Sequence, residues 1–231
     1  MRKNDFLKGM SHGIPIALGY LSVSFGFGIT AVKAGLSVWE ASLISLTNLT
    51  SAGQAAGVDV IASNGTLFEM ILVQLTINIR YALMALSLSQ RLHTSFTLPK
   101  RLLASYGITD EIFGVCAGQE SPLKPLYMYG MIFIATLGWV MGTFLGAYAG
   151  ELLPASVTSA LGIVLYGMFL AIIIPPARKE RSILFVVAVS AILSIFCKYI
   201  FPSLSGGFTV IICAVISAIL AATFFPREDE A

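Results

Sequence analysis

Apolar residues fall along this chain in long blocks separated by short polar or Pro/Gly-containing links. Eight blocks stand out, at approximately 12–34, 40–62, 67–91, 102–119, 126–150, 156–174, 181–201 and 206–225. A helix rises ~1.5 Å per residue, so about 20 residues cross the ~30 Å hydrocarbon core of a bilayer. The pattern predicts an all-α polytopic membrane protein, one integral membrane domain over residues 1–231 with six to eight membrane segments. Two blocks make poor spanning helices. Block 40–62 carries Glu40, Thr47, Asn48, Thr50, Ser51, Gln54 and Asp59, with Gly53 and Gly57 inside it. Block 102–119 is short and holds the neighbouring carboxyls Asp110 and Glu111. Both are expected to be broken or re-entrant, the first at its glycines. Non-helical backbone at that depth is allowed only where it is buried in protein or lines a watery cavity.

Basic residues help to choose between spanning and re-entry. If both poor blocks dip in and return, Arg2, Lys3, Lys8, Arg91, Lys100, Arg101, Lys124, Arg178, Lys179, Arg181 and Arg227 share one side with both termini. Only Lys33 and Lys198 then lie opposite, a split of 11 to 2. If both blocks span, Arg91, Lys100 and Arg101 change sides and the split falls to 8 to 5. The positive-inside rule favours the first arrangement, with both termini cytoplasmic in the cell inner (plasma) membrane.

The chemistry concentrates in a few polar residues within the apolar runs. Arg80 lies deep in block 67–91, where a charge costs roughly 2.5–3.5 kcal/mol on insertion scales. On a helix, Gln74, Asn78 and Tyr81 share one face while Thr76, Arg80 and Ser87 share another roughly opposite, so neither face suits lipid. Arg80 either pairs with a buried carboxylate and locks the fold, or offers its fork of donors to a substrate carboxylate. Asp110 and Glu111 point ~100° apart on a helix and cannot both face one partner. One is expected to pair with Arg80 or another donor, the other to face a cavity as a proton carrier. Alternatively Thr109 caps a short helix whose N-terminal dipole favours both acids. Asn48 and Gln54 are the side chains within reach of a substrate at the first break.

Gly138, Gly142, Gly146 and Gly150 recur every fourth residue, a smooth face for close helix packing either within the chain or with a second subunit. A loose internal echo relates Phe27–Ser37 to Leu145–Ala155. The composition is 57% apolar and 11% charged, with a mean hydropathy of +0.87, which excludes a soluble domain. A net charge of +2, spread over loops, gives no footprint for nucleic acid. Cys116, Cys197 and Cys213 have no C-x-x-C spacing and are expected to be reduced packing residues. His12 and His93 have no ligand partner at metal spacing, so neither metal nor cofactor is expected. Asn48-Leu49-Thr50 and Asn64-Gly65-Thr66 match the glycosylation pattern by chance. The basic start, followed by a long glycine-rich apolar run without a small-x-small cleavage site, reads as a retained helix. No hydrolase, zinc-protease or phosphate-cradling motif is present.

Ser51-Ala-Gly-Gln-Ala-Ala-Gly57, Asn78-Ile-Arg80 with Leu83 and Ser87 after it, and Ile108-Thr-Asp-Glu-Ile-Phe113 closely resemble the AzlC family in order and spacing. The Gly35-Leu36-Ser37 turn fits as well. The resemblance implies the large subunit of a two-component exporter of branched-chain amino acids, working with a small AzlD-type membrane subunit and no enzymatic activity. A transported amino acid would need Arg80 or a half-helix N-terminus for its carboxylate. Asp110, Glu111 or backbone carbonyls would serve its ammonium, and a coupling proton would sit on Asp110 or Glu111. Two other readings stay open: a non-transporting scaffold that packs a partner through the glycine face, and an intramembrane hydrolase.

Overall fold

The computed structural model describes residues 2–119, 122–152, 154, 156, 170, 173–174, 177–202, 204 and 206–226. Among them, regular structure is helical apart from an isolated bridge between Leu92 and Leu123. The helices are α1 (Arg2–Lys33), α2 (Val38–Thr47), α3 (Ser51–Ala62), α4 (Leu67–Ser89), α5 (Leu98–Ser105), α6 (Asp110–Ala117), α7 (Pro125–Leu152), α8 (Arg181–Ile200) and α9 (Gly206–Phe224). Among the described residues, five stretches are long and apolar enough to cross a membrane: Asp5–Lys33, Leu67–Ser89, Pro125–Gly150, Arg181–Ile200 and Gly206–Phe224. The expected segment 156–174 falls almost wholly outside the described residues.

Both poor blocks are interrupted. The first parts into α2 and α3 around residues 48–50, not at Gly53 or Gly57, which continue inside α3. The reason is local: Asn48 adopts extended backbone (φ −147°, ψ 116°), and its side-chain oxygen accepts from the Thr50 N–H at 3.3 Å. The Thr50 hydroxyl then accepts from the Gly53 N–H at 3.3 Å, capping α3. Side chains that satisfy freed backbone groups locate the break more firmly than glycines do. The second block parts into α5 and α6 around 106–109, starting earlier than expected, at Leu98. Its two ends lie together: Leu123 N–H donates to Arg91 C=O at 2.9 Å, and the Arg91 guanidinium donates to Ala117 C=O at 2.6 Å. The α5–α6 hairpin thus leaves and returns at one place in the chain's packing, beside Arg91.

The chain parts into two compact units, Met1–Ala55 with Asn78–Leu165, and Ala56–Ile77 with Tyr166–Ala231. The centre of the first unit is the α1–α7 pair. Phe6 meets Gly130, Ala17 meets Gly138, Leu21 meets Gly142 and Phe25 meets Gly146, so the two helices run parallel. Lipid offers helices little hydrophobic reason to associate, and glycine lets backbones close to where dispersion and Cα–H···O contacts act. The fit is reciprocal, because Gly9 and Gly28 of α1 lie as tightly against α7 backbone and Gly13 lies against the Ile134 side chain. Tyr20, Met131, Ala135 and Trp139 fill the space between these helices and the α5–α6 hairpin. At the start of the pair, the Lys124 ammonium sits 3.2 Å from the Asp5 carboxylate. Between α1 and α2 the chain turns through Gly35, whose φ of 96° suits glycine, with Leu36 N–H returning to Ala31 C=O at 3.1 Å. The Ser37 backbone N–H and hydroxyl both donate to the Glu40 carboxylate, closing a capping box and holding that carboxyl below its ordinary range.

In the second unit, α8 and α9 pack through the Ser190 and Ser217 hydroxyls at 2.8 Å and through Phe185 against Phe224 and Phe225. Gly207 lets α9 begin directly against Glu69 and Val73 of α4.

Candidate functional site

The polar residues of the first unit converge on the two interruptions. Thr109 (φ −125°, ψ 170°) caps α6, its hydroxyl accepting from the Ile112 N–H at 3.4 Å. Asp110 and Glu111 follow in the first turn, where the helix dipole favours negative charge. Tyr106, inside the α5–α6 interruption, donates its hydroxyl to the Leu46 carbonyl at the end of α2. The two interruptions are therefore neighbours.

From α4 come Asn78, Arg80 and Tyr81. The Thr50 hydroxyl donates to the Asn78 side-chain oxygen at 2.8 Å, and the Tyr81 hydroxyl donates to Thr50 at 3.3 Å. Arg80 turns the other way, to Asp110. One terminal nitrogen, Nη1, reaches both carboxylate oxygens, at 2.9 and 2.8 Å, and the pair is half-exposed (49% and 50%). This end-on contact leaves much of the planar fork unused by Asp110. Nη2 lies 3.5 Å from the Tyr81 hydroxyl, with the guanidinium carbon 5.1 Å from that ring's centroid. At ~1.5 Å per residue, Arg80 is roughly 20 Å from the start of α4 and 14 Å from its end.

Glu111 takes a different partner. The buried Tyr20 hydroxyl lies 2.6 Å from Glu111 Oε2 and 2.6 Å from Thr109 Oγ1. The Tyr20 ring meets Trp139 edge-on, with centroids 5.0 Å apart. Trp139 Nε1–H donates to Gln54 Oε1 at 2.9 Å, Gln54 Nε2 donates to Ser45 at 3.1 Å, and the Ser45 and Thr143 hydroxyls pair at 2.7 Å. This buried chain ties α3 to α2 and α7. Gln54→Leu should cost about 1–3 kcal/mol by leaving the indole N–H unpaired. Thermal unfolding in detergent checks this, and Trp139→Phe in the same protein should recover part of the loss; an unchanged midpoint for Gln54→Leu alone would contradict it.

Of the residues expected at the site, Arg80 and Asp110 meet directly and Asn78 meets the first interruption. Glu111 is held from α1. Asn48 and Gln54 are committed to protein partners: the Asn48 side-chain oxygen to Thr50, and both ends of the Gln54 amide to Trp139 and Ser45. Gly138, Gly142 and Gly146 lie against α1 backbone, and Gly150 touches Ile29 more loosely. Tyr20, Trp139, Ser45 and Thr143 escaped sequence reasoning. The available signal was a polar tip at mid-length in an apolar helix, which also describes ordinary packing. Among the described residues, no group of His, Cys, Asp and Glu is placed to hold a metal, and all three cysteines are free and buried.

Several helices long and apolar enough to cross a bilayer, with two further blocks interrupted between them, define a polytopic helical membrane protein. The AzlC protein family model matches residues 15–153, more than half of the chain, and the chain belongs to this family. The matched stretch contains every polar contact of the site. Inner membrane protein YgaZ of Escherichia coli K12 is 26% identical over 97% of this chain and 94% of its own length. A membrane protein of Archaeoglobus fulgidus is 30% identical over 76% of this chain and 78% of its own. One from Helicobacter pylori strain 26695 is 23% identical over 98% of this chain and 99% of its own. No solved structure matches.

Proposed function

We propose that this chain is the large subunit of a secondary transporter that exports branched-chain or similar apolar amino acids, working with a small AzlD-type membrane subunit. It sits in the inner (plasma) membrane with both termini cytoplasmic. The observation that carries the reading is the half-exposed Arg80–Asp110 pair at mid-helix depth beside two helix interruptions. A scaffold gains nothing from such charges, whose placement in the bilayer costs several kcal/mol, roughly 2.5–3.5 each. A transporter uses them, because a zwitterion needs one group for its carboxylate and another for its ammonium. The part of the Arg80 fork that Asp110 does not occupy suits the carboxylate, and Asp110 with carbonyls freed at the interruptions suits the ammonium. Uphill export needs a coupled ion, most simply a proton on Asp110 or Glu111. The shared side of residues 91–93, Leu123 and the start of α1 supports a cytoplasmic loop at 91–101, as the charge split requires. Cells preloaded with labelled leucine should lose it faster when they express the chain with its small subunit. Equal efflux with and without expression would favour the scaffold reading.

A further inference from the structure

Asp110 and Glu111 are adjacent in sequence but differently employed. Asp110 is tied to a fixed cation, Arg80. Glu111 forms no ion pair among the described residues; its Oε2 is held by Tyr20 while the residue remains exposed. Tyr20 itself is 7% exposed, and its oxygen stands 2.6 Å from both Glu111 and Thr109. A phenol carries one hydrogen and donates it to one neighbour at a time, while its oxygen accepts from the other.

That arrangement suits both protonation states of Glu111. With the carboxyl ionised, Tyr20 donates to Oε2 and Thr109 donates to Tyr20. With a proton on Oε2, Glu111 donates to Tyr20, which turns its own hydrogen to Thr109. Two hydroxyl rotations replace any displacement of heavy atoms, and Tyr20 keeps its proton throughout. The added proton arrives from, and returns to, the exposed side of the carboxyl. Protonating Asp110 instead would leave Arg80 without its counter-charge.

We propose that Glu111 carries the coupling proton and that Tyr20 is its positioning residue. The assignment rests on the transport reading above and narrows it to one carboxyl. Among the described residues, Tyr20 of α1 meets Glu111 directly and Asp110 stands beside it on its own helix, paired with Arg80 of α4, which in turn meets Tyr81. Tyr20 is the side chain whose O–H these contacts set against Glu111 Oε2.

The test is an infrared pH titration of the purified full chain, following the protonated-carboxyl band that disappears in Glu111→Gln. Tyr20→Phe keeps the ring against Trp139 but removes the hydroxyl held against Oε2, and should displace the midpoint of that band measurably. In vesicles, the pH of half-maximal amino-acid uptake should move by the same amount. A packing role for Tyr20 would move neither. A band that survives Glu111→Gln, or a midpoint unchanged in Tyr20→Phe, would overturn the proposal. Should Tyr20→Phe fail to accumulate, Glu111→Gln alone still decides whether this carboxyl titrates. A shifting band in a protein without amino-acid transport would overturn the transport reading while leaving the titration of Glu111 established.

Discussion

Gly146→Leu yields little folded protein, and Gly142→Leu behaves the same way. Even a methyl at Gly146 would run into the Phe25 carbonyl, with the Phe25 Cα 2.7 Å away; at Gly142 it meets the Leu21 carbonyl and the Ser24 hydroxyl. These obstacles are mostly backbone on a helix packed along its whole length, so no side-chain rotation relieves them. Overpacking that a core can absorb costs roughly 1–3 kcal/mol, and a clash with helix backbone belongs at or beyond the top of that range. Gly150 supplies the contrast, because a methyl there stands 3.4 Å from the Ile29 Cα, an ordinary contact. Gly150→Ala should accumulate like the parent while Gly146→Ala does not. Yield of monodisperse protein after detergent extraction measures both, and equal yields would remove the packing role assigned to the α1–α7 contact.

Arg80→Gln combined with Asp110→Asn gives folded, membrane-inserted protein without amino-acid export. Removing one partner of a fully buried pair costs about 3–5 kcal/mol, and the half-exposed setting of this pair lowers that figure. The double variant leaves no lone charge, so stability should recover relative to either single variant. Transport should not recover if the two groups hold the charged ends of the substrate. Arg80→Lys should also export poorly, since an ammonium paired with Asp110 has no planar fork left to offer a second carboxylate. Unfolding midpoints and labelled leucine efflux, measured on the same preparations, separate the two effects. Near-parental efflux in the double variant would remove both residues from the mechanism.

The long helices and both interruptions were legible because bilayer thickness constrains apolar length and polar residues disrupt it. The position of the first interruption was not. Glycines read as weak points, yet α3 runs through Gly53 and Gly57 because Asn48 and Thr50 satisfy the backbone just before it. That one of Asp110 and Glu111 would pair with Arg80 or another donor followed from the cost of an unpaired charge at that depth, but which carboxyl and which partner did not. The Thr109 cap was the alternative reading of a threonine placed ahead of two acids, and the structure carries it. Tyr20 and Trp139 stayed hidden, since an aromatic residue in an apolar helix looks the same whether its polar tip bonds a carboxylate or faces a headgroup. The glycine face announced close packing but not its partner, because a smooth surface carries no sign of what lies on it. That partner is α1, which presents glycines of its own in return.

The most direct test of the central claim uses inverted membrane vesicles carrying this chain together with its small subunit. Labelled leucine should accumulate inside them when the lumen is acid, and the accumulation should collapse when a protonophore dissipates the gradient. Accumulation no greater than in vesicles lacking the chain would contradict the account.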